Sequence, residues 1–323
     1  MSHRGHLGLI PVLKWRMFQV ASAAVRVAPS LVQQASPLAG DVAWLVAVRQ
    51  RRAVARNVAF IEPAAGSVLI RSLSRAVFRS VARYYVELLR LPYTEIDELH
   101  GRIDVTGWEN FAAANERGAG VIVASLHYGP AEIVLQAFGG RGIRYTAMIE
   151  RIRPIPLAKL FLCLREAHGN QYVFPGRAGA RQLIRALKSG GVVALMVDRD
   201  VTGGGMHVTF CGGTVSVPAG PVELAHLTGA AIIPAIGRWR PHNRYEVTLL
   251  PAVIPEPDRR KPKMLRVEIE AVLAELEPYL RREPEQWIVL LPLWNERMPG
   301  VSPAYTGVTD RGPRSTGGAV GDS

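Results

Sequence analysis

His127 and Glu132 have four residues between them and stand where an apolar run gives way to turn residues, a pairing suited to general-base chemistry. The stretch from Val121 through Ser125, Leu126, His127 and Tyr128 to Gly129, Pro130 and Glu132 opens with apolar, β-branched residues fit for an interior strand. Gly129 supplies a turn, and Pro130 suits the first position of a helix. The imidazole therefore falls at the carboxyl end of a strand, where open α/β sheets gather ligands and chemistry. On one continuous helix, residues five apart diverge by about 140°. Because His127 precedes the helix, the sequence predicts that Glu132 closes behind its ring. A carboxylate on one ring nitrogen fixes the tautomer and raises the basicity of the other, which then takes a proton from a hydroxyl. The plain alternative is a capping histidine and a surface glutamate.

A second apolar run, Val192 to Val197, leads into Asp198-Arg199-Asp200 and should place that block along the same sheet edge. Arg199 is a candidate for holding a phosphate or steadying negative charge that develops on oxygen. Asp198 or Asp200 is a possible second acid for His127, or a simple holder of Arg199. Arg177, Arg181 and Arg185 line up at the start and along the face of a helix, which suits the phosphates of a donor molecule. Scattered surface arginines are the alternative. Gly203-Gly204-Gly205 matches no phosphate-loop pattern with its lysine. His168, His207, His226 and His242 lack metal-ligand spacing, and no metal site is expected. Cys163 and Cys211 read as packing residues of a reducing compartment.

These residues must be positioned by an α/β fold. Strand candidates are 121–126, 143–149, 192–197, 207–210, 231–236 and 245–250; helix candidates are 130–138, 156–167, 178–188, 219–227, 263–282 and 284–290. Alternation of this kind predicts a mixed, largely parallel sheet flanked by helices. Residues 1–100 read as an N-terminal helical, membrane-associating region, 101–298 as the α/β domain, and 299–323, rich in Gly, Ser, Thr and Pro, as a disordered tail. Within the helical region Arg71, Arg75, Arg79 and Arg83 recur every four residues. Like charges at that spacing repel, so the stripe suits an anionic headgroup layer; a salt-bridged or solvated face is the alternative. The segment 7–35 carries charges and prolines that fit interfacial helices better than a spanning one.

The chain has 323 residues, 48% of them apolar, which is ample for a packed core. Its 39 basic and 27 acidic side chains give a formal charge of +12 and call for an anionic partner. Nucleic acid fits the charge, but no reading motif or aromatic platform accompanies it.

Several blocks carry a resemblance: Arg56-Asn57, His127-Tyr128-Gly129, Gly179-Ala180-Arg181, Asp198-Arg199-Asp200, Pro218-Ala219-Gly220-Pro221 and Pro284-Glu285-Gln286-Trp287. With the His-x4-Glu motif, they resemble the bacterial lipid A lauroyl/myristoyl acyltransferases and their phosphatidylinositol mannoside acyltransferase branch, over roughly residues 50 to 295. Where many relatives have Asn-Trp, this chain has Pro130-Ala131. The resemblance implies a glycerophosphate-acyltransferase-like fold and a peripheral enzyme at the cytoplasmic face of the cell membrane. It implies transfer of a fatty acyl chain from acyl-CoA or acyl-carrier protein to a glycolipid hydroxyl, with no cofactor, and His127, Glu132 and Arg199 in the site. The acceptor is a phosphatidylinositol mannoside or, alternatively, a lipid A precursor. No Gly-x-Ser-x-Gly elbow suggests a covalent acyl-enzyme. Two other classes stay open. Asp198-x-Asp200 also fits a metal-dependent glycosyltransferase, and the basic charge fits a non-catalytic lipid-binding protein.

Overall fold

A computed structural model describes residues 9–150, 152, 154–200, 203–255 and 262–294. The predicted tail, 299–323, lies outside the described residues. Four helices come first: α1 (Leu9–Val27), α2 (Pro29–Val46), α3 (Val48–Ile61) and α4 (Ser67–Arg90), followed by the short α5 (Ile96–His100). Strand and helix then alternate through β1 (Ile103–Thr106), α6 (Trp108–Glu116), β2 (Val121–Ser125), α7 (Ala131–Val134), α8 (Gln136–Gly139), β3 (Tyr145–Met148) and α9 (Ile155–Glu166). Next come β4 (Gln171–Val173), α10 (Arg177–Lys188), β5 (Val192–Met196), β6 (Met206–Phe210), β7 (Gly213–Val217) and α11 (Gly220–Thr228). The series closes with β8 (Ala231–Arg240), β9 (Arg244–Leu249) and α12 (Pro262–Arg282).

Seven strands form one sheet in the order β1-β9-β8-β2-β5-β3-β4, and β6 and β7 pair as a separate hairpin. Every neighbouring pair in the large sheet is parallel except β8 with β9. The sheet is thus mixed and largely parallel, with helices on both faces, as the alternation of elements predicts. Side chains alternate across the central strands as the two-residue period requires. Ile122, Ala124, Val193 and Leu195 join the core under α10, α11 and α12, while Val121, Val123, Val192 and Ala194 join the one under α6, α7 and α8. Burying each Val or Ile in this way contributes about 1.5–3 kcal/mol. That explains why both strands read as near-continuous apolar runs.

Three strands, β1, β4 and β7, have no counterpart in the sequence reading. They are short, and polar residues such as Asp104, Thr106 and Gln171 mask their pattern. The predicted helix 130–138 is two short helices joined at Leu135. The predicted helix 284–290 is a single 3-10 turn, Pro284–Gln286. It stops because Trp287 bridges Tyr128 and the Ile288 N–H donates to the His127 carbonyl, so this segment serves as a lace across the sheet edge.

The N-terminal helices attach through α4, through Phe60 of α3 stacked on Trp294, and through Phe18 of α1 against Phe161 of α9. On α4, Leu88 and Leu89 pack with Leu157, Phe161 and Leu164 of α9, and α2 lies close along α4 at Gly40, where a Cβ would meet the Arg79 backbone at 2.6 Å.

Candidate active site

The parallel register of β2 and β5 decides which acid meets the imidazole. Ser125 pairs with Met196, and the Val197 N–H donates to the Ser125 carbonyl at 2.8 Å. Two residues further along each chain stand His127 and Asp198, side by side on adjacent strands. The His127 Nδ1 lies 2.7 Å from Asp198 Oδ1, and the His127 backbone N–H donates to Asp198 Oδ2 at 2.9 Å. The Trp287 indole N–H donates to the same Oδ2 at 2.7 Å.

Asp198 is fully buried. Burial by itself would raise its pKa, but the neighbouring His127 and the N–H donors of His127 and Trp287 outweigh that and hold the carboxyl below its ordinary value. An ionised Asp198 makes Nδ1 the donor and leaves the lone pair on Nε2, the form a general base needs. The His127 side chain stays 30% exposed and lines a cleft.

The backbone around the imidazole is fixed on three sides. Its N–H is held by Asp198, its carbonyl accepts from the Ile288 N–H at 2.9 Å, and the Gly129 N–H donates to the Gln286 carbonyl at 2.8 Å. Gly129 adopts φ +60°, and a Cβ there would sit 2.1 Å from the Gly237 carbonyl oxygen. Only glycine permits that turn. Tyr128 points into the core, and its hydroxyl donates to the carbonyls of Tyr279 and Glu283 at the end of α12.

Glu132 lines the same cleft but has other partners, which corrects the expectation that it closes on the His127 ring. The Arg165 Nε donates to Glu132 Oε1 at 2.7 Å and the Tyr84 hydroxyl to the same oxygen at 2.6 Å. Burial would raise the Glu132 pKa; Arg165 and Tyr84 reverse that and hold it below the usual carboxylate range. Its Oε2 is buried without a hydrogen-bond partner among the described residues. The reason for the correction is tertiary: α4 and α9 bring a hydroxyl and a guanidinium to the start of α7, and the β5 terminus reaches the ring first.

Arg199 also lines the cleft, with its Nη2 on Glu150 Oε2 at 2.7 Å and its Nε buried without a partner among the described residues. Asp200 does not face the imidazole as a second acid. Its oxygens accept the backbone N–H groups of Gly203 and Gly205, so it shapes the glycine loop. The two carboxylates of the Asp-x-Asp block are therefore committed to different tasks, and the metal-site reading of that pattern loses its pair of ligands. The cleft measures about 290 Å³, with walls from Val81 and Tyr85 of α4, Met148 of β3, Met196 of β5, Phe161 of α9 and Leu290. It is mainly apolar.

The other predicted sites go elsewhere. Arg181 and Arg185 line a separate cavity of about 660 Å³ that includes Tyr145 and Val192, at the amino ends of β3 and β5 and so at the edge opposite His127. Arg177 borders a third hollow with Phe174 and Pro175. The stripe on α4 lies on the surface, with Arg71, Arg75 and Arg79 exposed, and its members have partners within the protein, as the salt-bridged alternative expects. Arg75 and Arg79 both hold Asp41 of α2, Arg83 holds the buried Glu87, and Arg71 lies over the Trp44 ring at 5.3 Å. The Asp41 carboxyl is held well below its ordinary pKa chiefly by the hydrogen bonds from Arg75 and Arg79.

Sequence reasoning missed Trp287 as a donor to Asp198, although it sits in a recognised motif. It also missed Arg165 and Tyr84, whose approach to Glu132 has no local sequence signal.

The family model described as bacterial lipid A biosynthesis acyltransferase matches residues 9–296. A protein named phosphatidylinositol mannoside acyltransferase from Mycolicibacterium smegmatis is 30% identical over 230 residues, which is 69% of this chain and 72% of that relative. A protein of the same name from Mycobacterium tuberculosis (strain ATCC 25618 / H37Rv) is 33% identical over 165 residues, 49% of this chain and about half, 52%, of that relative. With the match spanning nearly all the described residues, the chain is an acyltransferase and belongs to the bacterial lipid A biosynthesis acyltransferase family.

Proposed function

We propose that this enzyme moves a fatty acyl group from an acyl thioester to a hydroxyl of a phosphatidylinositol mannoside, with His127 as general base and Asp198 as the residue that orients it. The observation that carries the mechanism is the 2.7 Å contact between His127 Nδ1 and the buried Asp198, at the wall of an apolar cleft. The names of the relatives support the acceptor.

In this scheme the acceptor hydroxyl loses its proton to His127 Nε2 as its oxygen attacks the thioester carbonyl carbon. The tetrahedral intermediate then collapses, the carbon–sulfur bond breaks, and the imidazolium returns the proton to the departing sulfur. Asp198 stabilises the imidazolium in between. The orphan Glu132 Oε2 offers an acceptor for a neighbouring sugar hydroxyl. Arg199, freed from or sharing Glu150, offers positive charge for the oxyanion or for the acceptor's phosphate. The donor enters as acyl-CoA or an acylated carrier protein.

Peripheral attachment to a membrane completes the proposal. No helix among the described residues is long and apolar enough to cross a bilayer. On α1, Leu13, Met17, Val20 and Val27 are exposed along one face, and on α2, Leu31, Leu38, Val42 and Leu45 repeat the pattern. An exposed apolar band of this extent suits the headgroup–acyl boundary.

The test is thioester cleavage and lipid acylation by purified enzyme given acyl-CoA and phosphatidylinositol mannoside. His127→Ala should lose acyl transfer while keeping its melting behaviour. Transfer by that folded variant at the wild-type rate would overturn the mechanism. Absence of transfer by wild-type enzyme to the mannoside, with transfer to another glycolipid, would overturn the acceptor.

A further inference from the structure

The larger cavity, at the sheet edge opposite His127, is unused by this reaction. Its walls come from the amino ends of β3, β4 and β5, at Arg144, Thr146, Gln171 and Val192, and from α10, at Arg181, Gln182 and Arg185. Because β2, β3 and β5 run parallel, this edge is separated from the His127 edge by the length of β5. Five residues at about 3.3 Å each make that roughly 17 Å.

Its chemistry is one-sided. Three arginines line the cavity, and among the described residues no carboxylate does. Elsewhere the arginines of this chain are commonly paired: Arg75, Arg79, Arg83, Arg165, Arg240 and Arg281 all hold carboxylates. Arg144, Arg181 and Arg185 have no hydrogen-bond or ion-pair partner among the described residues. Arg181 and Arg185 are one helical turn apart on α10, a spacing at which like charges repel by a few tenths of a kcal/mol. Gln171 and Gln182 add neutral donors to the same wall. At about 660 Å³ the space lies within the range of small-ligand clefts.

We propose that Arg144, Arg181 and Arg185 form a second binding site, distinct from the acyl-transfer cleft, for a soluble ligand carrying a diphosphate or comparable polyanion. Two or more anionic groups match three forked cations better than one does. A soluble source fits the placement. The apolar face on α1 and α2 marks the membrane side, and the Gln33 amide of α2 donates to Asn243 in the β8–β9 turn, at the carboxyl end of β8. The arginine cavity is at the other edge. This inference does not rest on the identity of the acyl acceptor.

The experiment is calorimetric titration of the full chain with inorganic pyrophosphate, with inorganic phosphate, and with vesicles containing phosphatidylinositol. Saturable binding of pyrophosphate, tighter than phosphate, is expected. Arg144→Ala and the double variant Arg181→Ala/Arg185→Ala should each weaken it by about tenfold or more, the loss of a charge-assisted contact, whereas His127→Ala should leave it unchanged. All three arginines are exposed, so folding should survive, and melting curves check that. Equal pyrophosphate affinity in wild type and both arginine variants would overturn the proposal. So would arginine-dependent binding seen only with vesicles, which would make the site a lipid contact. Displacement of pyrophosphate by coenzyme A, together with a raised KM for acyl-CoA in Arg144→Ala, would overturn its independence from the transfer cleft.

Discussion

Replacing Asp198 with Asn should reverse the tautomer of His127 at almost no change in volume. Asp198 Oδ2 accepts from two donors that cannot turn away, the His127 backbone N–H at 2.9 Å and the Trp287 indole N–H at 2.7 Å. An amide nitrogen placed there would meet two N–H groups, so the Asn oxygen must take that position. The Asn nitrogen is then left facing His127 Nδ1 across the 2.7 Å gap that Oδ1 now occupies. Nδ1 has to accept, and Nε2 has to carry the proton. The nitrogen that should remove the acceptor's proton thereby loses its lone pair. General-base catalysis is worth about 10²–10⁴-fold, equal to about 2.7–5.4 kcal/mol at 1.36 kcal/mol per decade. The analogous Asp→Asn change in serine proteases costs about 10⁴ in kcat by the same route. We expect the loss in kcat, with KM for the thioester little altered. The assay is thiol release from acyl-CoA in the presence of acceptor lipid, with nitrogen NMR of the imidazole reporting which ring nitrogen is protonated. A folded Asp198→Asn enzyme within a few-fold of wild-type kcat, or one whose Nδ1 still carries the proton, would refute the reasoning.

Two further changes probe the supporting groups. Glu132→Gln leaves Arg165, 14% exposed, without its counter-charge; breaking a buried pair in this way costs about 3–5 kcal/mol. Urea denaturation should show that loss, and Glu132→Gln should retain the protonation state of His127 that Asp198→Asn reverses. Trp287→Phe removes one donor to the ionised Asp198 and should raise its pKa. A carboxyl whose folded-state pKa is depressed contributes stability above its unfolded value, about 3.9, and loses that contribution as pH falls through the folded value. The acid limb of the Trp287→Phe stability curve should therefore move to higher pH and lose depth. An unmoved limb across a series of denaturation curves from neutral pH to about pH 2 would count against Asp198 as the titrating group.

Much of this molecule was legible before its coordinates. Buried strands announce themselves as continuous β-branched runs, so β2 and β5 were read almost residue for residue. The turn after His127 was readable because Gly129 and Pro130 have few alternative uses. The edge strands β1 and β4 were not, since short segments with polar residues take their pairing from neighbours rather than from their own pattern. The closing segment reads as a helix locally, but its Gln286 carbonyl accepts from the Gly129 N–H and its Ile288 N–H donates to the His127 carbonyl, partners far away in sequence.

Sequence by itself determined that an imidazole would stand at the carboxyl end of a buried strand, and that a carboxylate-bearing block would follow a second such strand. It also determined the family. Which carboxylate reached the ring was a tertiary decision. Glu132 is five residues from His127 and Asp198 is 71, yet strand pairing in register brings the distant acid into contact and leaves the near one to Arg165 and Tyr84. The same holds for the arginines on α4, whose spacing is local but whose partner Asp41 arrives on α2. Hydrogen bonds and ion pairs depend on distance in space, and only the packing of strands and helices sets that distance.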